Sequence, residues 1–219
     1  MPPLDAAALQ AGAAALSLTI TSPQADQLLA YLDLLARWNR VYNLTAVRDA
    51  AQMGTHHLLD SLSIVPPLER HAAGRPLAIL DVGSGGGLPG VVLAIAHPEW
   101  QVTCVDAVAK KAGFVQQVAL ELGLRNLHSA HARVEKLAPA SVDIVISRAF
   151  ASLPDFTTWT QHHLAPHGVW LAMKGKHPTD EIAALPQGTQ VFHVEQLQVP
   201  GLDADRCAIW LRPVARDPQ

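Results

Sequence analysis

Apolar residues near the start of the chain recur with the spacing of amphipathic helices. After a helix start at Ser22-Pro23, where a capping hydroxyl precedes a proline, they return every three or four positions as far as Trp38. A second helical pattern begins at Met53 and is expected to stop at the proline pair Pro66-Pro67. We therefore predict that residues 1–70 form a helical extension packed on the rest of the molecule.

From Leu77 onward, short apolar runs alternate with stretches of helical length. This alternation predicts right-handed crossovers and a mostly parallel sheet that is covered by helices on both faces. The last two runs follow Pro186 without a helix between them, so we expect an antiparallel hairpin at one edge. Residues 71–219 are thus predicted to form one α/β domain. Its predicted strands are residues 77–82, 102–106, 127–130, 142–147, 169–174, 191–199 and 207–211.

The composition is that of a folded globular protein. Hydrophobic residues make up 49% and charged residues 16% of the 219 residues, which excludes a disordered chain and a coiled coil. No apolar run approaches the ~20 residues of a membrane helix, and the alanine-rich start lacks the basic residues of a secretory signal. Cys104 and Cys207 are too few for a disulfide framework. We expect a cytosolic protein with reduced thiols and no membrane contact.

Charge and histidine content restrict the possible partners. The net charge of -3 creates no overall field that attracts nucleic acid, so any such affinity must be local. The 11 histidines show no paired spacing of metal ligands, and the adjacent pairs point apart on a helix or strand. We therefore expect no metal site.

A glycine-rich turn, in the string ILDVGSGGGLPG, follows the first predicted strand and allows a ligand to lie against bare backbone. Its spacing fits two patterns: Gly83-x-Gly85-x-Gly87 of methyltransferases, and Gly85-x-Gly87-x-x-Gly90 of dinucleotide-binding proteins. Gly83 directly follows the strand, and Pro89 removes a backbone donor that a pyrophosphate would use. Both features favour S-adenosylmethionine, which has no phosphate, and leave an NAD-dependent oxidoreductase as the weaker alternative.

Residues after the next two strands are candidates for the same crevice. Asp106 ends the second predicted strand, where an acid can accept both hydroxyls of a ribose. Val134 and Glu135 follow the third strand, where an apolar residue and a polar neighbour can bracket an adenine ring. For Glu135, a solvated surface carboxylate is an equally good interpretation.

Arg148 follows the fourth predicted strand and is therefore expected at the mouth of this crevice. We predict that it contacts the cofactor or the acceptor. The alternative is a structural ion pair with Asp143 or Asp155.

With these residues in place, the chain resembles the RsmG family, also called GidB, over residues 16–211. The resemblance implies a Rossmann-like S-adenosylmethionine-dependent methyltransferase fold and methylation of guanine N7 in small-subunit ribosomal RNA. It departs from the family at His56, where an arginine is often found. The matching strings, in order, are WNRVYNLTAVRD, HHLLDSL, LDVGSGGGLPG, SRAFASL, MKG and LQVPGLD. The resemblance places cofactor contacts at Gly83, Leu88, Val134, Glu135 and Arg148, to which the residue patterns add Gly85, Gly87 and Asp106.

The reaction implied by the resemblance needs no general base, because guanine N7 is an aromatic lone pair that attacks the sulfonium methyl directly. The fourth strand is followed by SRAF and not by the Asn-Pro-Pro-Tyr motif that holds an exocyclic amine, which agrees with a ring-nitrogen acceptor. Catalysis then rests on alignment of the reacting atoms. We predict Arg148 as the catalytic contact, directed at guanine O6, a phosphate or the methionine carboxylate.

In A-form RNA the groove that displays N7 is deep and narrow, so the target guanine must lie in a loop or leave the stack. We expect a monomer that acts on small-subunit ribosomal RNA, either free or in the small ribosomal subunit. A small-molecule or protein acceptor and a non-enzymatic nucleoside sensor remain alternatives. The candidate RNA contacts are Arg37, Arg40, Arg48, Lys110 and Lys174, followed by Lys111 and Lys176.

Overall fold

Seven strands form one sheet at the centre of the protein, as seen in a computed structural model that describes residues 4–47, 49–148, 150 and 152–214. The strands are β1 (Ala78–Val82), β2 (Gln101–Asp106), β3 (Leu127–His131), β4 (Val142–Ser147), β5 (Leu164–Lys174), β6 (Thr189–Gln196) and β7 (Cys207–Pro213). Their order across the sheet is β3-β2-β1-β4-β5-β7-β6. The first five strands are parallel, whereas β7 is antiparallel to β5 and to β6. The predicted α/β sheet with an antiparallel pair at one edge is confirmed.

Helices connect most of the parallel strands and cover the sheet, as the strand-helix alternation predicts, whereas β3 and β4 are joined by a loop with a short 3-10 turn at Val134–Lys136. Most of the described chain before β1 is helical, the last of these helices ending at Ala72, and two buried apolar clusters lie on the two sides of the sheet. The α-helices are α1 (Ala6–Ala15), α2 (Ser22–Tyr42), α3 (Ala50–Met53), α4 (Asp60–Leu62), α5 (Val65–Ala72), α6 (Gly90–Ala96), α7 (Ala109–Glu121), α8 (Leu153–Thr160) and α9 (Thr179–Ala183).

The start of α2 differs by one residue from the prediction. Thr21, and not Ser22, is the N-cap: its hydroxyl accepts from the Gln24 N–H at 3.3 Å, and Gln24 Oε1 accepts from the Thr21 N–H at 2.9 Å. This reciprocal capping box satisfies two otherwise unpaired amide donors, which a single capping hydroxyl at Ser22 would not. Ser22 and Pro23 therefore occupy the first turn.

The second predicted helix is interrupted. Between α3 and α4 the chain forms a π-helical turn at Gly54–Leu59, and the predicted stop at Pro66-Pro67 is wrong, because both prolines lie in the first turn of α5. A proline is tolerated there because the first turn leaves its amide donors without intrahelical partners. Wider turns of this kind are often found at functional sites.

Helix α2 packs directly under the glycine turn. The fully buried Tyr31 donates its hydroxyl proton to the Gly86 carbonyl oxygen at 2.6 Å, and burial raises the pKa of Tyr31 well above its ordinary value. A Cβ on Gly86 would lie 2.8 Å from Leu35 Cδ1, so a larger residue there would require the end of the Leu35 side chain to shift. The helical segment thus supports the loop that begins after β1.

Candidate functional site

A cavity of about 150 Å³ opens at the carboxyl ends of β1 and β2. We call it the Gly83 cavity. Its residues include Gly83, Asp106, Val134, Glu135, Phe150 and Trp159. Four predicted cofactor residues are therefore brought to one place, because parallel strands present their carboxyl ends at the same edge of the sheet.

The backbone of the glycine turn is held by the neighbouring strand. Gly83 has φ +68, and its N–H donates to the Val105 carbonyl oxygen at 2.9 Å. A Cβ added to Gly83 would find only Phe150 Cδ2, at 4.0 Å, so the fold itself leaves open space above this residue. A ligand can consequently approach the main chain closely at Gly83.

The carboxylate of Asp106 is fixed in the Gly83 cavity by two amides. Oδ2 accepts from the Gly85 N–H at 3.0 Å, and Oδ1 accepts from the Val108 N–H at 2.8 Å. The side chain is only 8% exposed and lies 4.0 Å from Lys111 Nζ. Each oxygen keeps a second lone pair, so an oriented carboxylate remains able to accept hydroxyl donors.

Three residues predicted as cofactor contacts support the turn without lining the Gly83 cavity. The Gly85 amide orients Asp106, as described above. Gly87 has φ +88, and a Cβ there would lie 2.4 Å from Val91 Cγ2. Leu88 is 4% exposed and belongs to the core. Their contact with a cofactor stays a prediction.

Asp81 was missed by the sequence analysis, although an acid inside an apolar strand is a usable signal. Its side chain is fully buried below the glycine turn, where Oδ2 accepts from the Gly90 N–H at 2.8 Å and Oδ1 has no partner among the described residues. Burial raises the pKa of Asp81 to about 7, against the lowering effect of the Gly90 hydrogen bond and of Arg148. The first amide of α6 is thus occupied by the protein's own carboxylate.

A second cavity, of about 370 Å³, lies beside β4 and β5, and we call it the Arg148 cavity. Arg148 follows β4, the neighbour of β1, and Ser147 Oγ donates to the Val82 carbonyl oxygen at 2.8 Å. The two cavities therefore lie at the ends of adjoining strands. The titratable residues of the Arg148 cavity are His56, His57, Asp60, Arg148, Lys174 and Arg206.

Two arginines share one buried carboxylate in this cavity. Arg148 Nη1 donates to Asp60 Oδ2 at 3.1 Å, and Arg206 Nε donates to Asp60 Oδ1 at 2.7 Å. The Asp60 side chain is 2% exposed, whereas Arg148 and Arg206 are 22% and 23% exposed. Arg148 thus forms the ion pair that was the alternative to a functional role, but with Asp60 and not with the predicted Asp143 or Asp155.

His57 lies behind the arginines and is neutral at pH 7. Burial, followed by the positive charge of Arg148, lowers its pKa to about 4, while its Nε2 lies 2.9 Å from Thr45 Oγ1. Its Nδ1 is buried without a partner among the described residues. The permanent positive charge of the Arg148 cavity comes from the arginines and Lys174, which is paired with Glu181 at 2.9 Å.

The other predicted RNA contacts are spread over the surface. Arg37 and Arg40 are exposed on α2, and Lys110 and Lys176 are exposed on α7 and after β5. Lys174 is the one predicted lysine that lines the Arg148 cavity. Arg48 lies outside the described residues.

Along the part of the chain that the structure describes, no helix is both long and apolar enough to cross a bilayer. Within the same residues, no group of three or more histidine, cysteine or acidic side chains is placed to hold a metal ion. Cys104 and Cys207 are both free and buried in strands, as expected.

Comparison with known proteins agrees with this arrangement. The family model of rRNA small subunit methyltransferase G, or GidB, matches residues 24–209. A protein named ribosomal RNA small subunit methyltransferase G from an Acidovorax species is 65% identical over 95% of both chains. The protein of the same name from Methylibium petroleiphilum is 58% identical over 95% of this chain and 96% of its own.

Solved structures support the fold. TrmN from Thermus thermophilus aligns with a TM-score of 0.55 at 20% identity, over 74% of this chain and 53% of its own. A SAM-dependent methyltransferase from Aquifex aeolicus aligns with a TM-score of 0.54 at 16% identity, over 76% and 99%. The methyltransferase pattern of the glycine turn is therefore favoured over the dinucleotide pattern, and the prediction of S-adenosylmethionine is confirmed. The chain belongs to the rRNA small subunit methyltransferase G (GidB) family of S-adenosylmethionine-dependent enzymes that methylate small-subunit ribosomal RNA.

Proposed function

We propose that this chain transfers the methyl group of S-adenosylmethionine to N7 of a guanine, with the cofactor in the Gly83 cavity and the target nucleotide in the Arg148 cavity. The main observation is the placement of an oriented carboxylate and a bare glycine backbone next to a cationic cavity, on adjoining strand ends. Four of the six strings that carry the family resemblance contribute residues to the Arg148 cavity, and a fifth forms the glycine turn.

The Gly83 cavity suits the adenosine part of the cofactor. Asp106, held by two amides, is oriented to accept from ribose hydroxyls, and the open space above Gly83 allows close approach to the main chain. Val134 and Glu135 are proposed to border the adenine. Phe150 and the 43% exposed Trp159, whose ring centroids are 5.6 Å apart, add an aromatic wall that the sequence analysis missed.

The bound cofactor supplies an electrophilic methyl group on a positively charged sulfur. Guanine N7 keeps its lone pair at neutral pH, so the protein does not have to remove a proton. His57, which is neutral and close to Thr45, is not needed as a base. The protein contributes orientation, an effect that supplies up to ~7–11 kcal/mol when reacting atoms are held in line.

Arg148 is proposed to be the residue that contacts the reacting groups. One edge of its guanidinium is fixed, because Nη1 donates to Asp60 Oδ2 and to the His56 carbonyl oxygen at 2.9 Å. The remaining donors are available for guanine O6, a phosphate or the methionine carboxylate. A donor aimed at N7 itself would occupy the attacking lone pair and slow the reaction.

A transfer assay tests this proposal. The purified chain is incubated with isotope-labelled S-adenosylmethionine and small-subunit ribosomal RNA from a strain lacking the gene, and the methylated nucleoside is located by mass mapping. We expect 7-methylguanosine with wild type, at least a hundredfold slower transfer with Arg148→Ala, and normal transfer with Arg125→Ala, an exposed arginine outside both cavities. Methylation at another base atom, or full activity of Arg148→Ala, would contradict the proposed roles.

The proposal also covers the oligomeric state of the enzyme and the RNA contacts outside the cavities. We infer that a monomer is active in the cytoplasm, because one chain lines both cavities and ribosomal RNA is found there. The exposed residues Arg37, Arg40, Lys110 and Lys176, together with the half-buried Lys111, are proposed to contact the RNA outside the cavities. Parallel assays with free RNA and assembled subunits identify the preferred substrate, and sedimentation measures the oligomeric state.

A further inference from the structure

We propose that Arg206, held next to Arg148 by Asp60, binds a phosphate of the RNA strand that carries the target guanine. This inference rests on the proposed function and names the ligand group recognised in the Arg148 cavity. The structure assigns this role through the placement of two guanidinium groups on one carboxylate, with an unused edge on each.

The positive charges in the Arg148 cavity are not fully balanced by the acidic side chains that pair with them. Asp60 neutralises one of the two arginines, and the charge of Lys174 is met by Glu181, so one positive charge is left over in a partly enclosed cavity. One arginine would be enough to pair the buried carboxylate. Because an uncompensated charge in a partly buried site is unfavourable, the second arginine points to an anionic ligand.

The unused donors of both arginines fit a phosphate. Arg148 Nη1 is engaged with Asp60 and the His56 carbonyl oxygen, and Arg206 donates through Nε to Asp60 and through Nη1 to the Asp205 carbonyl oxygen at 2.8 Å. No described residue accepts from Nη2 of either side chain. Planar guanidinium groups bind phosphate oxygens with paired hydrogen bonds, and RNA supplies a phosphate at every nucleotide.

The π-helical turn helps to fix this arrangement. The Asp60 N–H bonds to the carbonyl oxygens of Thr55 and His57, whereas in a regular α-helix it would bond to that of His56. The His56 carbonyl oxygen instead accepts from Arg148. The wider turn therefore presents a carbonyl and a carboxylate to the same guanidinium.

Arg206 is equally well fixed from the other side. The ladder between β6 and β7 ends at the pair Gln196 and Cys207, and the Leu197 N–H then donates to the Arg206 carbonyl oxygen at 2.8 Å. The loop that follows Leu197 carries the string LQVPGLD of the family resemblance, and Leu197 and Val199 are buried in the core. Arg206 is thus held on an ordered segment. A binding residue needs such support, because its side chain must keep a fixed geometry.

The test measures RNA binding and cofactor binding separately in Arg206→Gln. Filter binding to small-subunit ribosomal RNA at several salt concentrations gives the number of phosphates contacted, since each contributes about 0.7–0.9 to the slope of log K against log salt. We expect Arg206→Gln to bind RNA about tenfold more weakly with a slope smaller by this amount, and to raise KM for RNA. Arg206→Lys should restore part of the slope, because the charge is kept.

Three results separate the possibilities. The matched control Arg70→Gln, an exposed arginine that pairs with Glu195 outside both cavities, should leave the slope unchanged. A lower affinity of Arg206→Gln for S-adenosylmethionine by calorimetry, with an unchanged salt slope, would overturn the inference and assign the arginine to the cofactor carboxylate. RNA binding with a normal slope effect but no methyl transfer by wild type would refute the proposed function and leave the phosphate contact supported.

Discussion

Replacement of Gly83 by alanine separates the needs of the ligand from the needs of the fold. Gly83 has φ +68, a region where an L-residue is destabilised by about 1–2 kcal/mol. The new Cβ would meet no protein atom closer than Phe150 Cδ2 at 4.0 Å, so no clash adds to this strain. For a chain of this size, we expect the Tm to fall by about 2–8 °C.

The effect on the cofactor should be larger than the effect on the fold. The methyl group would enter the cavity of about 150 Å³ in which the cofactor is proposed to approach the main chain. Overfilling a closely packed site costs about 1–3 kcal/mol, which corresponds to a Kd for S-adenosylmethionine that is higher by about fivefold to 150-fold. Isothermal titration calorimetry of the folded variant measures this change.

Gly74→Ala is the matched control. Gly74 has φ +81 and open space around it, but it lies in the turn before β1 and outside both cavities. It should lose similar stability and keep the affinity of wild type. If Gly83→Ala also bound S-adenosylmethionine with unchanged affinity, the assignment of the Gly83 cavity to the cofactor would be refuted.

Two further variants test the electrostatics and the wall of the Gly83 cavity. Burial raises the pKa of Asp81 to about 7 from its ordinary value near 3.8, so the free energy of unfolding of wild type falls as pH rises through this interval. The free energy of unfolding of Asp81→Asn should therefore increase relative to that of wild type by up to about 4 kcal/mol between about pH 4 and pH 8. Urea unfolding of both proteins measures this difference, in which the contribution of His57 cancels, and a constant difference would show that Asp81 ionises normally. Trp159→Ala removes the aromatic wall and should raise the Kd for S-adenosylmethionine about tenfold, from the loss of about 1.5 kcal/mol of ring contact, while Trp159→Phe keeps most of the affinity. Equal affinities of Trp159→Ala and wild type in calorimetry would exclude the ring from the binding site.

The sheet could be predicted from the sequence because its signals are local. All seven predicted strands exist, and Val142–Ser147 has the predicted bounds, since runs of buried residues and glycine turns are visible within a few positions. The π-helical turn at Gly54–Leu59 and the role of the proline pair Pro66-Pro67 could not be predicted in this way. The π-helical turn and the position of the prolines both depend on which backbone amide donors already have partners in neighbouring segments. The boundary between the helical extension and the domain at residues 70 and 71 stays a prediction.

The candidate site also has a part that could be predicted from the sequence and a part that could not. The sequence by itself determined the α/β class, the glycine turn and the gathering of Gly83, Asp106 and Val134 at one edge, because parallel strands of similar length place their ends together. Only the tertiary structure decided that Asp60 joins Arg148 and Arg206, which are 88 and 146 residues away along the chain. An ion pair forms when two charges come within a few ångströms and lose water together, and chain spacing carries no record of that distance.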